Sequence, residues 1–269
     1  AGPEVAPSGG REVHRRGLHP REALNLLRIA VRGATGKVGR RIVDLARGAG
    51  DIEVVAEIGR SGSLDRKVDC LIDFSVPAGT RRRIEECRRL GVPIVVGTTG
   101  LDADLRGAID AAARETAVLV AANTSVGVNL LLRLVAEAAR ALGPGFDIEV
   151  IEGHHRAKRD SPSGTALEIV KALCAATGLD PTKDLVHGRS GDVGPRPASQ
   201  IGVHAVRGGD IVGEHTVLFA GDGERVEIVH KASSRDTFAR GALRAARFLA
   251  GKPPGRYTMA HVIEGGRAP

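Results

Sequence analysis

The sequence predicts an α/β fold whose first half is a parallel sheet and whose second half is a strand-rich α+β region. Three observations carry this expectation. Apolar runs of strand length alternate with amphipathic segments of helix length from residue 28 to about residue 123. Those strands are apolar throughout, as in sheets covered on both faces. From residue 199 onward, three β-rich runs follow one another with glycine turns between them.

The run "RIAVRG" (28–33) reads as a short strand, "KVGRRIVDLARGAG" (37–50) as an amphipathic helix ended by glycine, and "DIEVVAEIG" (51–59) as a second strand. Together they make a βαβ unit. The alternation continues with a strand at 68–74 ("VDCLIDF"), a helix over 78–90, a strand at 93–99 ("PIVVGTT"), a helix over 102–115 and a strand at 117–123 ("AVLVAAN"). Beyond Asn123 the character changes. A longer helix over 128–141 leads to the strand "FDIEVIEG" (146–153), and "TALEIVKALCAAT" (165–177) reads as a helix ending at Gly178. After a Gly/Pro-rich span at 188–198, the runs "SQIGVHAVR", "DIVGEHTVLFA" and "ERVEIVHKA" read as an antiparallel meander. A last helix over 236–249 is long enough to return and pack on the first half.

Composition narrows the functional classes. The chain has 269 residues, 42% hydrophobic and 26% charged, and no apolar run nears the length of a membrane span. Two domains and no membrane are expected. The net charge is +7, but acids and bases interleave and aromatics are only 2%, so base-stacking platforms are few and nucleic acid is not the expected partner. A general basic field suits phosphates and carboxylates. Cys70, Cys87 and Cys174 lack CxxC spacing and read as buried thiols in a reducing, cytoplasmic setting. Residues 1–27, rich in Gly, Pro and Arg, read as a flexible extension.

Between the first strand and helix lies "GATGKVG", with Gly33, Gly36 and Gly39 three apart. Glycine there permits a tight turn and close approach of backbone N–H groups to a pyrophosphate, which the helix N-terminus also stabilises. A strand before and a helix after are the context that a Rossmann-type dinucleotide site requires. Glu57 lies 24 residues past Gly33 (57 − 33), near the roughly 20 expected for a carboxylate on the adenosine ribose. It reads equally well as an ordinary strand-end carboxylate. Lys37 and Arg60 lie nearby and suit a 2′-phosphate, so the site fits either NADH or NADPH.

The densest chemistry is in "IEGHHRAKRDSPSGTAL" (151–167). His154, His155 and Lys158 crowd one loop, and Ser163-Gly164-Thr165 stands directly before a helix, where free N–H groups and two hydroxyls make an anion site. Each feature alone has a plainer reading, as an N-cap or a polar loop residue. In combination they suit reduction of an electron-poor dicarboxylate: a lysine to hold or polarise charge, a histidine to deliver a proton after hydride arrives. Adjacent histidines do not easily share a metal ion, and no HExxH or Cys/His cluster accompanies them, so no metal is expected. His187, His204, His215 and His230 are taken as structural.

"EGHHRAKRDSPSGTA" resembles the signature of the dihydrodipicolinate (4-hydroxy-tetrahydrodipicolinate) reductase family of lysine and diaminopimelate biosynthesis. The resemblance extends through "GATGKVG", "IDFSVP", "VGTTG", "ANTSVGVNLL", "GDIVGEHTVLF" and "HKASSRDTFARGAL". It implies a Rossmann-type domain of residues 28–125 plus 236–269, and a substrate-binding domain of residues 126–235 whose mixed open sheet also builds a homotetramer. It further implies His154 as proton donor, Lys158 as a second acid or base, and His155, Ser163, Gly164 and Thr165 as binders of the substrate carboxylates. Cofactor contacts are implied at Gly33, Ala34, Thr35, Gly36, Lys37 and Val38, at Gly97, Thr98 and Thr99, and at Ala121, Ala122, Asn123 and Thr124. Glu57 and Arg60 would set the choice of NADH or NADPH. Thr124 stands where the family usually has an aromatic, and Ser161 where it usually has alanine. Two rivals are another Rossmann dehydrogenase acting on an amino-acid-derived imine or semialdehyde, and a non-catalytic NAD(P) redox sensor; retention of His154 and Lys158 argues against the sensor.

Overall fold

The first apolar run forms β1 (Leu27–Arg32), whose last four residues are buried, and the amphipathic segment after the glycines forms α1 (Lys37–Arg47). In a computed structural model, the described residues are 2, 26–59, 62–64 and 67–265. The expected flexible extension therefore lies almost wholly outside them, and so does Arg60. The alternation continues through β2 (Ile52–Ile58), β3 (Cys70–Asp73), α2 (Pro77–Leu90), β4 (Ile94–Val96), α3 (Ala103–Ala112) and β5 (Ala117–Val120). Helices α2 and α3 have readable boundaries: Pro77 at the start of α2, left-handed Gly91 at its end, and the Asp102 side chain accepting from Leu105 N at the start of α3.

All pairings in the first sheet are parallel; β5 is flanked by an edge strand, β11 (Gly255–Tyr257), and the order is β11-β5-β4-β3-β1-β2. The order reverses beside β1, so the crevice at the carboxyl ends of β1 and β3 is where an open α/β sheet binds ligands. The edge strand β11 (Gly255–Tyr257) has three residues and no periodicity to reveal it in sequence.

The second half begins with α4 (Val126–Leu142) and continues through β6 (Asp147–His154), α5 (Gly164–Thr177), β7 (Leu185–His187), β8 (Ile201–Arg207), β9 (Gly213–Ala220) and β10 (Arg225–Ala232). Its sheet runs β10-β9-β6-β8-β7. The expected three-stranded meander is thereby corrected. β9 and β10 do form an antiparallel hairpin, but β6 is inserted between β8 and β9, parallel to β8 and antiparallel to β9. The physical reason is visible at the Gly208-Gly209-Asp210 turn, which crosses over the end of β6. There Gly208 N donates to His154 O (3.0 Å) and Arg156 N donates to Gly209 O (3.2 Å). Ile148, Val150, Ile201, Val203, Val217 and Phe219 from the three strands then share one core with α4 and α5.

α6 (Asp236–Leu249) has the predicted bounds and packs back on the first sheet, while α7 (Met259–Glu264) follows it. The small buried residues of α6, Ala239, Ala242, Ala245 and Ala246, allow close approach to the core formed with Ile29, Ile42 and Tyr257. Arg41 on α1 fixes the start of α6 through a two-pronged ion pair with Asp236 (2.7 and 2.9 Å). Cys70, Cys87 and Cys174 are unpaired and buried. No described helix is long and apolar enough to cross a membrane.

Candidate active site

The glycine turn is built for backbone, not side chains. Gly33 has φ +82°, and a Cβ there would fall 2.4 Å from Phe74 O; a Cβ on Gly39 would fall 2.1 Å from Gly33 O. Strand and helix can meet this closely only without those atoms. Gly36 caps α1 without a side-chain hydrogen bond, and the first turn carries no acid. Its N–H groups are thus available to an anion, which fits a dinucleotide pyrophosphate. Ala34 and Val38 turn their side chains toward the first core, leaving Thr35 and Lys37 at the surface. Glu57 sits at the end of β2, where Arg47 donates to it at 2.7 Å. Such an exposed pair is worth little to stability.

A cavity of about 890 Å³ lies between the two sheets, lined by Ala121, Ala122 and Asn123 from the first and by His154, His155 and Lys158 from the second. Thr99 lies at its edge, with Ser163, Gly164 and Thr165 opposite. A second cavity of about 570 Å³ runs from Thr35, Lys37 and Arg40 to His155 and Arg235. His155 lines both, so the glycine turn and the histidine loop face connected space. Two cofactor expectations take a different form. Thr98 is buried, its hydroxyl accepting from Thr80 Oγ1 at 2.8 Å. Thr124 is also buried; its Oγ1 donates to Phe238 O at 2.7 Å and it does not line the main cavity. The aromatic ring at this wall is Phe238 of α6. Gly97 keeps space for the Phe74 ring, since a Cβ would lie 2.3 Å from it.

His154 ends β6, and Glu152 precedes it by two residues, on the same face of the strand. His154 Nδ1 lies 2.6 Å from Glu152 Oε2. The carboxylate is fully buried and also accepts from Arg207 Nη1 and Nη2, both at 2.8 Å, and from Ser163 N at 3.0 Å. Burial alone would raise the Glu152 pKa; the hydrogen bonds from Arg207, His154 and Ser163 hold it below the ordinary value. Burial lowers the His154 pKa, and Glu152 partly offsets that by favouring the imidazolium.

His215 lies across from Glu152 in the β6–β9 register and packs edge-on against His154, ring centroids 5.4 Å apart. Its Nε2 is 3.3 Å from Ser163 Oγ, and burial pushes its pKa down to about 4. His230 stands behind it, with centroids 6.5 Å apart. Lys158 Nζ donates to both Asp160 oxygens, at 2.9 and 2.8 Å. At α5, Ser163 Oγ accepts from Ala166 N at 3.1 Å, so the plain N-cap reading of Ser163 holds. The N–H groups of Gly164 and Thr165 in that first turn have no intrahelical acceptor and remain open to an anion. Among the described residues, no group of three His, Cys, Asp or Glu is arranged to hold a metal ion.

Sequence reasoning missed Glu152, Arg207, His215 and Phe238. Glu152 was within reach, because two-residue alternation puts it on the His154 face. Arg207 and His215 approach only through strand pairing, Arg207 being opposite His154 in the β6–β8 register, and no local pattern shows that.

Comparison with known proteins supplies the relationship. The family model described as "Dihydrodipicolinate reductase, N-terminus" matches residues 27–124, and "Dihydrodipicolinate reductase, C-terminus" matches residues 127–263. A 4-hydroxy-tetrahydrodipicolinate reductase of Nitrosomonas europaea is 45% identical over 262 residues, covering 88% of this chain and 98% of its own. One from Myxococcus xanthus is 42% identical over 266 residues, with the same coverage of 88% and 98%. A solved structure, dipicolinate-bound dihydrodipicolinate reductase from a Paenisporosarcina species, matches with a TM-score of 0.71 at 21% identity, over 87% of this chain and 97% of that one, which is a likeness of fold. With both family models matched in order and relatives this similar over nearly their full length, the chain belongs to the dihydrodipicolinate reductase family.

Proposed function

We propose that the chain catalyses the NAD(P)H-dependent reduction of 4-hydroxy-tetrahydrodipicolinate to tetrahydrodipicolinate, with loss of water, in lysine and diaminopimelate biosynthesis. The observation that carries this reading is the pair of adjoining cavities: His154, Lys158 and an open helix N-terminus line one, and residues of a glycine turn that fits a dinucleotide line the other. When bound, the nicotinamide dinucleotide supplies hydride.

The residues proposed to hold the cofactor are Gly33 to Val38 at the turn, Gly97 and Thr99, and Ala121 to Asn123, with Glu57 at the ribose. Gly164, Thr165 and His155 hold the substrate carboxylates, and Lys158 is released from Asp160 to join them. His154 gives its Nε2 proton to the substrate, and Glu152 stabilises the charge of the imidazolium before that transfer. Phe238 and Met259 at the cavity wall limit water at the reacting ring.

The division into residues 28–125 plus 236–269 and residues 126–235 is supported by the two sheets and by the packing of α6 on the first. A homotetramer is supported by the exposed Ile151, Val206 and Val229, which lie on the face of the second sheet turned away from α4 and α5. A cytoplasmic setting is supported by three unpaired cysteines. The reaction is tested by following NAD(P)H absorbance while a synthase generates the substrate in situ from pyruvate and aspartate semialdehyde. Oxidation dependent on both the synthase and this chain is expected; none with either coenzyme would remove the reading.

A further inference from the structure

We propose that Glu152 is a positioning residue for this reduction, which locks His154 and the first turn of α5 into one geometry with Arg207 as its counter-ion. The inference rests on the reaction proposed for the chain. One carboxylate oxygen takes His154 Nδ1 (2.6 Å) and the other takes Ser163 N (3.0 Å), while the Arg207 guanidinium spans both. The proton donor and the carboxylate cradle are therefore tied to the same two atoms.

The cost of this arrangement argues for its purpose. A buried ion pair is commonly no more stabilising than well-packed apolar side chains of the same size, because desolvation cancels much of the attraction. Glu152 continues the core-facing row of Ile148 and Val150 on β6, a row that is otherwise apolar. What the carboxylate adds is direction. Both of its oxygens accept, so the proton on neutral His154 is held at Nδ1, and Nε2 on the opposite edge of the ring exchanges the reacting proton. Glycine at 213 leaves that edge uncrowded: a Cβ there would sit 3.2 Å from Nε2.

The charges around His154 single out Glu152 further. Lys158 from the following loop and Arg207 from β8 disfavour its imidazolium, and burial does the same. His215 on β9 packs on the ring, with His230 of β10 behind it, and Asp160 is engaged with Lys158. Glu152 is the acid in contact that favours the protonated ring.

The test uses the ligand-free full chain with ¹⁵N-labelled histidine, compared by NMR for the wild type, Glu152→Gln and Arg207→Gln. In Glu152→Gln the amide has one acceptor and one donor edge. Ser163 N and one Arg207 nitrogen donate to Oε1, whereas only the other Arg207 nitrogen donates beside His154 at Oε2, so the NH₂ meets fewer donors on the His154 edge and turns to it. The ring should then switch its neutral proton from Nδ1 to Nε2 and titrate at lower pH. Arg207→Gln removes a cation and keeps the carboxylate, so His154 should keep the Nδ1 proton and titrate at higher pH. Opposite shifts distinguish this role from a general loosening of the fold. In the coupled assay, Glu152→Gln should lower kcat at least about tenfold, as expected when a histidine is held in the wrong tautomer, and should move the falling limb of the pH profile to lower pH. An unchanged tautomer and titration in Glu152→Gln, or shifts of the same sign in both variants, would overturn the proposal. If Glu152→Gln does not fold, the Arg207→Gln titration decides alone: an upward shift supports the proposal and none overturns it. These titrations need no substrate. A wild-type protein without reductase activity would remove the proposed reaction, whereas the link between Glu152 and His154 stands or falls on the tautomer and the direction of the shifts.

Discussion

Asn123, three residues beyond β5, donates from Nδ2 to Thr165 Oγ1 in the first turn of α5, at 3.1 Å. The bond joins the end of the parallel sheet to the N-terminus of α5 in the second half. Asn123 is itself held on both sides, its Oδ1 accepting from Ser125 N (2.9 Å) and its carbonyl from Asn129 Nδ2 (2.8 Å). Asn123→Ala should lower kcat/KM by about tenfold, the worth of one or two hydrogen bonds. The melting midpoint should change little, because Asn123 lies outside the apolar cores. Steady-state kinetics beside a thermal melt would check both.

His154→Gln should lower kcat by roughly 10²–10⁴, the usual range for a general acid–base group, with dinucleotide dissociation constants nearly unchanged. With His154 as the proposed proton donor, kcat/KM should fall as pH rises through its pKa. Burial places that pKa below the ordinary histidine value. A pH profile should therefore show its falling limb on the acid side of an exposed histidine, and the limb should vanish in the variant.

His215 links acid to stability. Its pKa is about 4 in the folded chain against an ordinary 6.5, so between these values the unfolded state binds a proton that the native state does not. Stability then falls as pH drops through this window. The loss from this one group is about 2 kcal/mol between pH 7 and pH 5. Urea midpoints at the two pH values should differ by the corresponding amount, and His215→Asn should narrow the difference.

Glu57 is expected to govern coenzyme choice. A carboxylate favours a free ribose and repels a 2′-phosphate, and Arg47 already neutralises part of its charge. Glu57→Gln should weaken NADH and tighten NADPH, changing the ratio of their dissociation constants in favour of NADPH. Titration of intrinsic nicotinamide fluorescence with each coenzyme measures that ratio.

What was legible in the sequence follows the range of the interactions. α1 shows itself through Ile42, Val43 and Ala46 on one face, and α6 through its spaced alanines and Leu249, because helical contacts repeat within a few residues. His154, Lys158 and the Ser163 cap were readable because they lie within one short span. The insertion of β6 between β8 and β9 was not, since it depends on a turn crossing a strand end more than fifty residues away in sequence. The same pairing brings Arg207 and His215 to Glu152, so the error in topology and the missing site residues have one cause. The direction of the Thr124 side chain was not legible either: a residue next to a pocket wall can turn it either way, and α6 captures it.

Isotope transfer reads the proposed hydride step itself. The wild-type chain should be incubated with NADH or NADPH carrying deuterium at the transferable C4 position, with substrate generated in situ, and the product examined by mass spectrometry. One deuterium in each molecule of tetrahydrodipicolinate is the predicted result, with its yield cut in proportion to the rate in His154→Gln. Absence of the product, or product free of deuterium with both coenzymes, would rule out the proposed reduction.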